Sequence, residues 1–354
     1  MAEFQEQLAL TGRVFGDAGV DAVYLVHGTF VGNDILGLLT ELSRFAPQLS
    51  RKLSRIGKGV IDCFTGEAGN YTQAFATALR EGLSAGAVRE IPVKLFNWSS
   101  QNNHIARADG AIRLIAELAK MDEKAQPRRV LIWGHSHGGN VMALVSQLLG
   151  ADQSARDEFF AAARSYFHAW VRGGVDMPHW QEVEELLKDE VHPVRQLQLD
   201  MVTFGTPIRY GWNSGGYANL LHFVHHRPPQ QGGEHNAPIP LKPMRACQAL
   251  DGDYVQQIGI SGTNFAPLPI AVRTLIADWR LDRLLETDVV PENIIARLRR
   301  AMRVPDEGTT LLVDYTEISP WVTRHIFGHG LYTLRKWLPY HCQQIAASFY
   351  SENL

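Results

Sequence analysis

Little in this chain is extreme, and what is scarce narrows the field. Of 354 residues only three are cysteines, Cys63, Cys247 and Cys342. An odd, widely spaced set is no disulfide framework, and no Cys-x-x-Cys pair marks a zinc site. Reduced thiols in a cytoplasmic protein are the expectation, with export by a route that uses no cleaved signal left open. No apolar run approaches the roughly 20 residues needed to cross a bilayer. The opening MAEFQEQLALTGRVFGD has neither the basic start nor the apolar centre of a secretory signal, and Glu3 and Glu6 argue against a transit peptide. The formal net charge is only −3, so no basic excess points to a nucleic-acid partner. No repeat and no low-complexity tract interrupts the chain.

What is present fits a globular protein, with 45% hydrophobic and 20% charged residues. A chain this long buries a sizeable core, either as two domains or as one α/β domain with insertions. Val20 to Val26 is apolar without alternation, as in a strand covered on both faces. The same reading gives strands at Pro92–Phe96, Arg129–Trp133, Leu199–Phe204, Leu220–His225 and Thr310–Tyr315. Helical spacing of apolar residues predicts helices at Gly37–Ser54, Tyr71–Leu83, His104–Lys120 and Gly139–Leu149. Further helices are expected at Pro269–Leu285, Pro291–Met302 and Tyr332–Tyr350. Strand and helix alternating in this way imply a mostly parallel central sheet with helices on both faces. Residues 151–195 differ: they are polar, helix-prone and carry Phe159, Phe160, Tyr166, Phe167, Trp170 and Trp180. They read as a helical insertion, either a lid over a site or a fixed cap. Residues 227–243, rich in glycine and proline, read as a loop.

The segment VLIWGHSHGGN contains Gly134-His135-Ser136-His137-Gly138, a G-x-S-x-G pattern between an apolar strand and an amphipathic helix. A serine on such a turn has strained backbone geometry, so the residues two away on each side must lack bulk. The following helix N-terminus places partial positive charge where negative charge develops in acyl transfer. The alternative is a plain turn that happens to contain a serine. With strand and helix in place, the sequence resembles the α/β-hydrolase superfamily, and within it the lipases and esterases. The resemblance spans Val20 to about Trp337, least well across 151–195, and LDMVTFGTP at 199–207 is similar to a lipase strand ending in Phe-Gly-x-Pro. It implies one α/β-hydrolase domain over residues 1–354 with Ser136 as nucleophile and no cofactor or metal.

Acyl transfer also needs donors for the oxyanion, a base and an acid. The N–H of His137 is one donor, being next after the nucleophile. His27-Gly28-Thr29-Phe30 looks like the His-Gly-X element of bacterial lipases, which makes Thr29 the other donor and Phe30 the next choice. In this fold the acid and then the histidine follow the serine. His329, flanked by Gly328 and Gly330 on what reads as a solvent-reaching loop, is favoured over His325. His341 falls inside the last helix and reads as a surface or packing residue. For the acid, Asp253-Tyr254-Val255 resembles the Asp-x-Val pattern of lipases. Asp251 is the next candidate, followed by Glu234, Asp278 and Asp282, and Asp253 as a mere turn residue stays open.

Two other groups of residues carry no site. His222, His225, His226 and His235 are close in sequence but match no zinc spacing, and neighbours in a strand point to opposite faces. Arg297, Arg299, Arg300 and Arg303 suit a solvated helix face. The expectation is therefore a carboxylic ester hydrolase acting on lipid or other apolar acyl esters, with transient contact to a lipid surface. Thioesterase, amidase or acyltransferase chemistry on the same residues remains open, as does a non-catalytic binding protein of the same fold.

Overall fold

Strands that are apolar on both faces require cover on both faces, and this molecule is built on six strands, of that kind in the middle of the sheet and more exposed at its two edges. They are β1 (Val20–Val26), β2 (Val93–Phe96), β3 (Arg129–His135), β4 (Gln198–Phe204), β5 (Asn219–His225) and β6 (Thr309–Val313). All pairings are parallel, in the order β2-β1-β3-β4-β5-β6. The computed structural model describes residues 2–29, 68–121, 129–168, 174–228, 233, 236–237, 243–260, 264–285, 299, 307–315 and 321–350. The expected helix at 37–54, nearly all of that at 291–302, and Phe30, Cys63, Trp170, Glu234, His235, Arg297, Arg300 and Arg303 lie outside the described residues.

Alternation along each strand divides the core into two layers. Ala22, Tyr24, Val26, Val130, Ile132 and Met201 face one way. Val23, Leu25, Leu131, Trp133, Val202 and Phe204 face the other. On the second face lie α1 (Ala2–Asp17), α2 (Gln73–Gly86) and α10 (Leu338–Phe349). On the first lie α3 (His104–Ala119), α4 (Gly138–Gly150), α5 (Gln153–Phe167), α6 (Pro178–Lys188) and α9 (Val272–Leu285). Two short helices, α7 (Pro243–Cys247) and α8 (Tyr254–Ile260), follow β5. Helix starts are set by side-chain caps where the sequence offers them: Thr72 accepts from Phe75 N, Asn103 from Ala106 N and Asp152 from Ala155 N. Among the described residues no helix is long and apolar enough to cross a membrane.

Several expectations are corrected here. α1 was not anticipated, although Leu8, Thr11, Gly12 and Phe15 recur at helical spacing and are buried. α4 is buried on nearly all sides rather than amphipathic, because β3, β4, α3 and the turn Ser214–Gly216 all pack against it. α10 begins at Leu338, not Tyr332; two 3-10 turns, Leu331–Thr333 and Arg335–Trp337, come first, and Pro339 suits the first helical turn. α9 begins at Val272 after a turn closed by Ala271 N to Leu268 O, 2.8 Å. β3 continues two residues past Trp133, since its ladder with β4 runs to His135 opposite Phe204.

The aromatic residues of the insertion point inwards. Trp180 is wholly buried, and it stacks on Phe159 and Phe167 at centroid distances of 6.0 and 5.3 Å. Its Nε1 donates to Asp109 of α3 at 2.8 Å, beside a His179 contact to the same carboxylate at 2.9 Å. Arg273 of α9 binds the Ser165 carbonyl and the Asp176 carboxylate, at 2.9 and 2.5 Å. α5 and α6 thus share one core with α3 and α9.

Candidate active site

β1 has β2 on one side and β3 on the other, so successive connections leave the carboxyl end of the sheet in opposite directions. In open α/β sheets the crevice at such a switch point is where ligands bind. The register sets Val26 opposite Gly134, which brings the turn after β1 beside the turn after β3. Those two turns carry His27-Gly28-Thr29 and Ser136-His137.

Ser136, the expected nucleophile, has φ of 55°, a left-handed conformation uncommon for any residue but glycine. It is held there by its N–H, donated to Phe204 O at 2.9 Å, and by Gly139 N donating to Ser136 O at 3.1 Å. The flanking glycines are needed sterically: a Cβ at Gly134 would lie 2.3 Å from Met142 Sδ, and one at Gly138 would lie 2.4 Å from Val26 O. Gly28 is as close on the other side, where a Cβ would stand 2.5 Å from Ser136 Cβ. Its loop is fixed by residues after β2. Ser100 Oγ donates to Gly28 O at 2.8 Å, and Trp98 Nε1 to His27 O at 2.8 Å. Thr29 and His137, the expected oxyanion donors, sit in these adjacent turns. Among the described residues neither N–H is taken up by a backbone carbonyl.

Asp253 and His329 meet although 76 positions apart. Asp253 Oδ2 lies 2.7 Å from His329 Nδ1, with both residues buried. Asp253 reaches the carboxyl end of the sheet because the chain folds back on the end of β5: His226 bridges Gly252, and Asp253 N donates to His225 O at 3.0 Å. Its Oδ1 accepts from Gln256 N at 2.8 Å, capping α8, and its Oδ2 also accepts from Tyr332 Oη at 3.1 Å. Oδ2 is thus the oxygen that serves the histidine, with Tyr332 as its second donor. His329 is not on a solvent-reaching loop as expected. It is 6% exposed, in a tight turn where Ile326 and Phe327 have φ of 45° and 56°. Gly330 N donates to His325 O at 2.8 Å, and His135 Nε2 donates to His329 O at 2.9 Å. The rings of His135 and His329 are 4.5 Å apart, which places His329 beside the residue preceding Ser136. With Nδ1 committed to Asp253, Nε2 is left; it is buried and makes no hydrogen bond.

Two neighbouring histidines, His135 and His137, are kept neutral. Burial, with His329 next to it, pushes His135 down to about 3. Burial, then Arg107 and Arg209, holds His137 well below the usual imidazole range. His325 accepts from Gly328 N at 3.3 Å and stabilises the turn, while His341 is fully buried against Phe204 and Phe223. Asp251 is turned away, paired with Arg245 at 2.5 Å and bonded by Tyr254 Oη. Asp278 accepts from Ile105 N at the start of α3, and Asp282 lies 3.1 Å from His104. His222 and His225 engage Thr203 and Val313 O, and among the described residues no three His, Cys, Asp or Glu side chains are grouped to hold a metal.

Trp98, Ser100 and Tyr332 were missed as parts of this assembly. For Tyr332 a signal existed, since it lies three residues after His329, where a turn brings side chains together. For Trp98 and Ser100 the sequence offers none without the β2–β1 pairing. Chemically, the site combines a strained serine, a buried imidazole with a carboxylate on one nitrogen and nothing on the other, and two adjacent backbone turns. Compared with known proteins, the chain matches no family model, no curated protein and no solved structure.

Proposed function

We propose that this protein is a serine hydrolase of the α/β-hydrolase type that cleaves carboxylic esters. The observation that carries the reading is the Asp253–His329 pair, 2.7 Å apart, built against the turn that holds Ser136 at φ 55°. Ser136 Oγ attacks the ester carbonyl while His329 Nε2 takes its proton. Asp253 holds the imidazole with its proton on Nδ1 and stabilises the imidazolium that forms. The N–H groups of Thr29 and His137, with the N-terminus of α4 behind them, hold the oxyanion. His329 then gives the proton to the leaving alcohol, and water releases the acyl group by the reverse route. Ser136 Oγ and His329 Nε2 are not hydrogen-bonded in this state; such bonds often tighten only when substrate binds.

An apolar acyl group is the favoured substrate. Phe265 and Ile270, 60% and 83% exposed, begin and end an apolar segment tied to Asn102 through Phe265 N at 2.7 Å. Asn102 is two residues from Ser100, which fixes the Gly28 loop. The inward packing of Trp180 and its ring of aromatics favours a fixed cap over a lid for residues 151–195. Thioester, amide and acyl-transfer chemistry would use the same residues, and a panel of p-nitrophenyl esters, acyl thioesters and amides separates them. The decisive experiment is Ser136→Ala. It is expected to abolish fluorophosphonate labelling and nearly all ester turnover with the far-UV circular dichroism unchanged. Labelling that persists on another serine refutes the reading.

A further inference from the structure

A second cleft, of about 250 Å³, opens at the end of α4 remote from Ser136. Leu148 and Gln147 of α4, Phe159 of α5 and Leu284 of α9 line it, together with Arg156. Arg156 is the anomaly. It is 2% exposed, yet its Nε and Nη1 have no hydrogen-bond partner. A guanidinium offers five donors and stays charged, so one buried without a partner is strongly disfavoured. Among the described residues no carboxylate forms an ion pair with it; Glu190, Asp152 and Asp157 favour its charge only from a distance, and Arg195 opposes it. Asp152 caps α5, Asp157 accepts from Gln153, and Glu158 is exposed at the rim, none of them in an ion pair with Arg156. Of the apolar wall, Leu284 is 36% exposed, while Leu148 and Phe159 lie deeper, at 3% and 5%. At about 250 Å³ the cleft is slightly below the range of roughly 300–1,000 Å³ common for small-molecule sites, which suits a fragment-sized ligand.

We infer that this cleft binds a small amphipathic carboxylate, its head group on Arg156 and its short chain against Leu148, Phe159 and Leu284. The inference uses none of the residues assigned to ester hydrolysis and stands or falls apart from that reading. The head group supplies the acceptor that Arg156 lacks, and the chain covers Leu284, the exposed part of the apolar wall.

Sodium octanoate is the probe, titrated calorimetrically into the full-length protein at neutral pH. Binding on the order of 1 mM or tighter is expected for a ligand of this size. Arg156→Met keeps the apolar stem, removes the charge and is expected to weaken octanoate at least tenfold. Octan-1-ol, with the same chain and no carboxylate, is expected to bind the parent protein at least tenfold more weakly than octanoate. Arg156→Met is expected to keep parental p-nitrophenyl butyrate turnover, which separates this cleft from the proposed active site. Equal octanoate affinity in the parent and Arg156→Met, or no binding to the parent, overturns the inference. Should Arg156→Met fail to fold, Leu284→Trp at the half-exposed mouth decides: loss of octanoate binding supports the site, and unchanged binding overturns it.

Discussion

Replacing Asp253 with asparagine separates a functional carboxylate from a structural one. Oδ1 of Asp253 caps α8 through Gln256 N, and an asparagine side-chain oxygen can still do so. Oδ2 has the other duty, accepting from His329 Nδ1 at 2.7 Å and from Tyr332 at 3.1 Å. An amide NH₂ there is a donor facing donors, so the imidazole gives up its Nδ1 proton and carries it on Nε2. That tautomer cannot accept the serine proton. In triads of this kind the change costs around 10⁴-fold in turnover, or about 5.5 kcal/mol of transition-state stabilisation. The assay is p-nitrophenyl butyrate turnover per folded molecule, with folding followed by circular dichroism. Asp251→Asn is the control. It weakens contacts to Arg245 and Tyr254, which costs about 1 kcal/mol of stability because Arg245 is half-exposed, and it leaves turnover within several-fold of the parent. If Asp253→Asn keeps more than about a tenth of parental turnover while Asp251→Asn loses the activity, the assignment of the acid is wrong.

Other substitutions and pH test the surrounding geometry. Gly28→Ala would place a methyl 2.5 Å from Ser136 Cβ; turnover and fluorophosphonate labelling should both fall about 10²-fold or more, and normal labelling would contradict the contact. Tyr332→Phe removes the hydroxyl that accepts from His225 N at 2.7 Å, and the unfolding free energy should fall by about 1–3 kcal/mol in urea titrations. Burial lowers His135 and His341 to about 3 and His222 to about 4. The unfolded chain takes up these protons first, near pH 6.5, so the stability is fully present above that pH and is lost as pH falls towards the folded values. At pH 5 the cost is about 2 kcal/mol per histidine relative to pH 7. An unchanged urea midpoint between pH 7 and pH 5 would show that these imidazoles are not buried neutral.

The legible parts of this fold were those written in local pattern. β1 runs from Val20 to Val26, apolar throughout except Asp21, as that pattern requires, and the turn at Ser136 is marked by glycines that have no room for a side chain. Parallel pairing followed from alternation of strand and helix. What local pattern cannot carry is adjacency between distant segments. That β2 pairs with β1, so that Ser100 secures Gly28, depends on the order of strands in the sheet. That His329 would be buried, despite two flanking glycines, depends on His135 and Tyr332 closing over it. The glycines there serve close packing, since a Cβ at Gly328 would lie 2.3 Å from Gly252 O. α1 was overlooked for another reason. Only Leu8, Thr11, Gly12 and Phe15 of its 16 residues are buried, so its apolar face is narrow.

The distribution of backbone strain gives an argument for function that does not depend on any motif. Among the described residues, five that are not glycine have positive φ: Ser100, Ser136, Ala249, Ile326 and Phe327. Such conformations cost about 1–3 kcal/mol each, and a β-branched residue such as Ile326 is among the least suited to them. All five belong to the same assembly. Ser100 holds the loop of Gly28, and Ser136 sits on the turn that Gly28 faces. Ile326 and Phe327 form the turn of His329, and Phe327 O accepts from Tyr254 N, next to Asp253. Ala249 O accepts from Arg227 just beyond β5, and its Cβ faces Gly328. Stability alone would spread such costs or remove them, because one substitution to glycine at each position relieves the strain. Their concentration at the carboxyl end of the sheet, with hydrogen bonds to other segments at Ser100, Ser136, Ala249 and Phe327, is what a site with a required geometry produces.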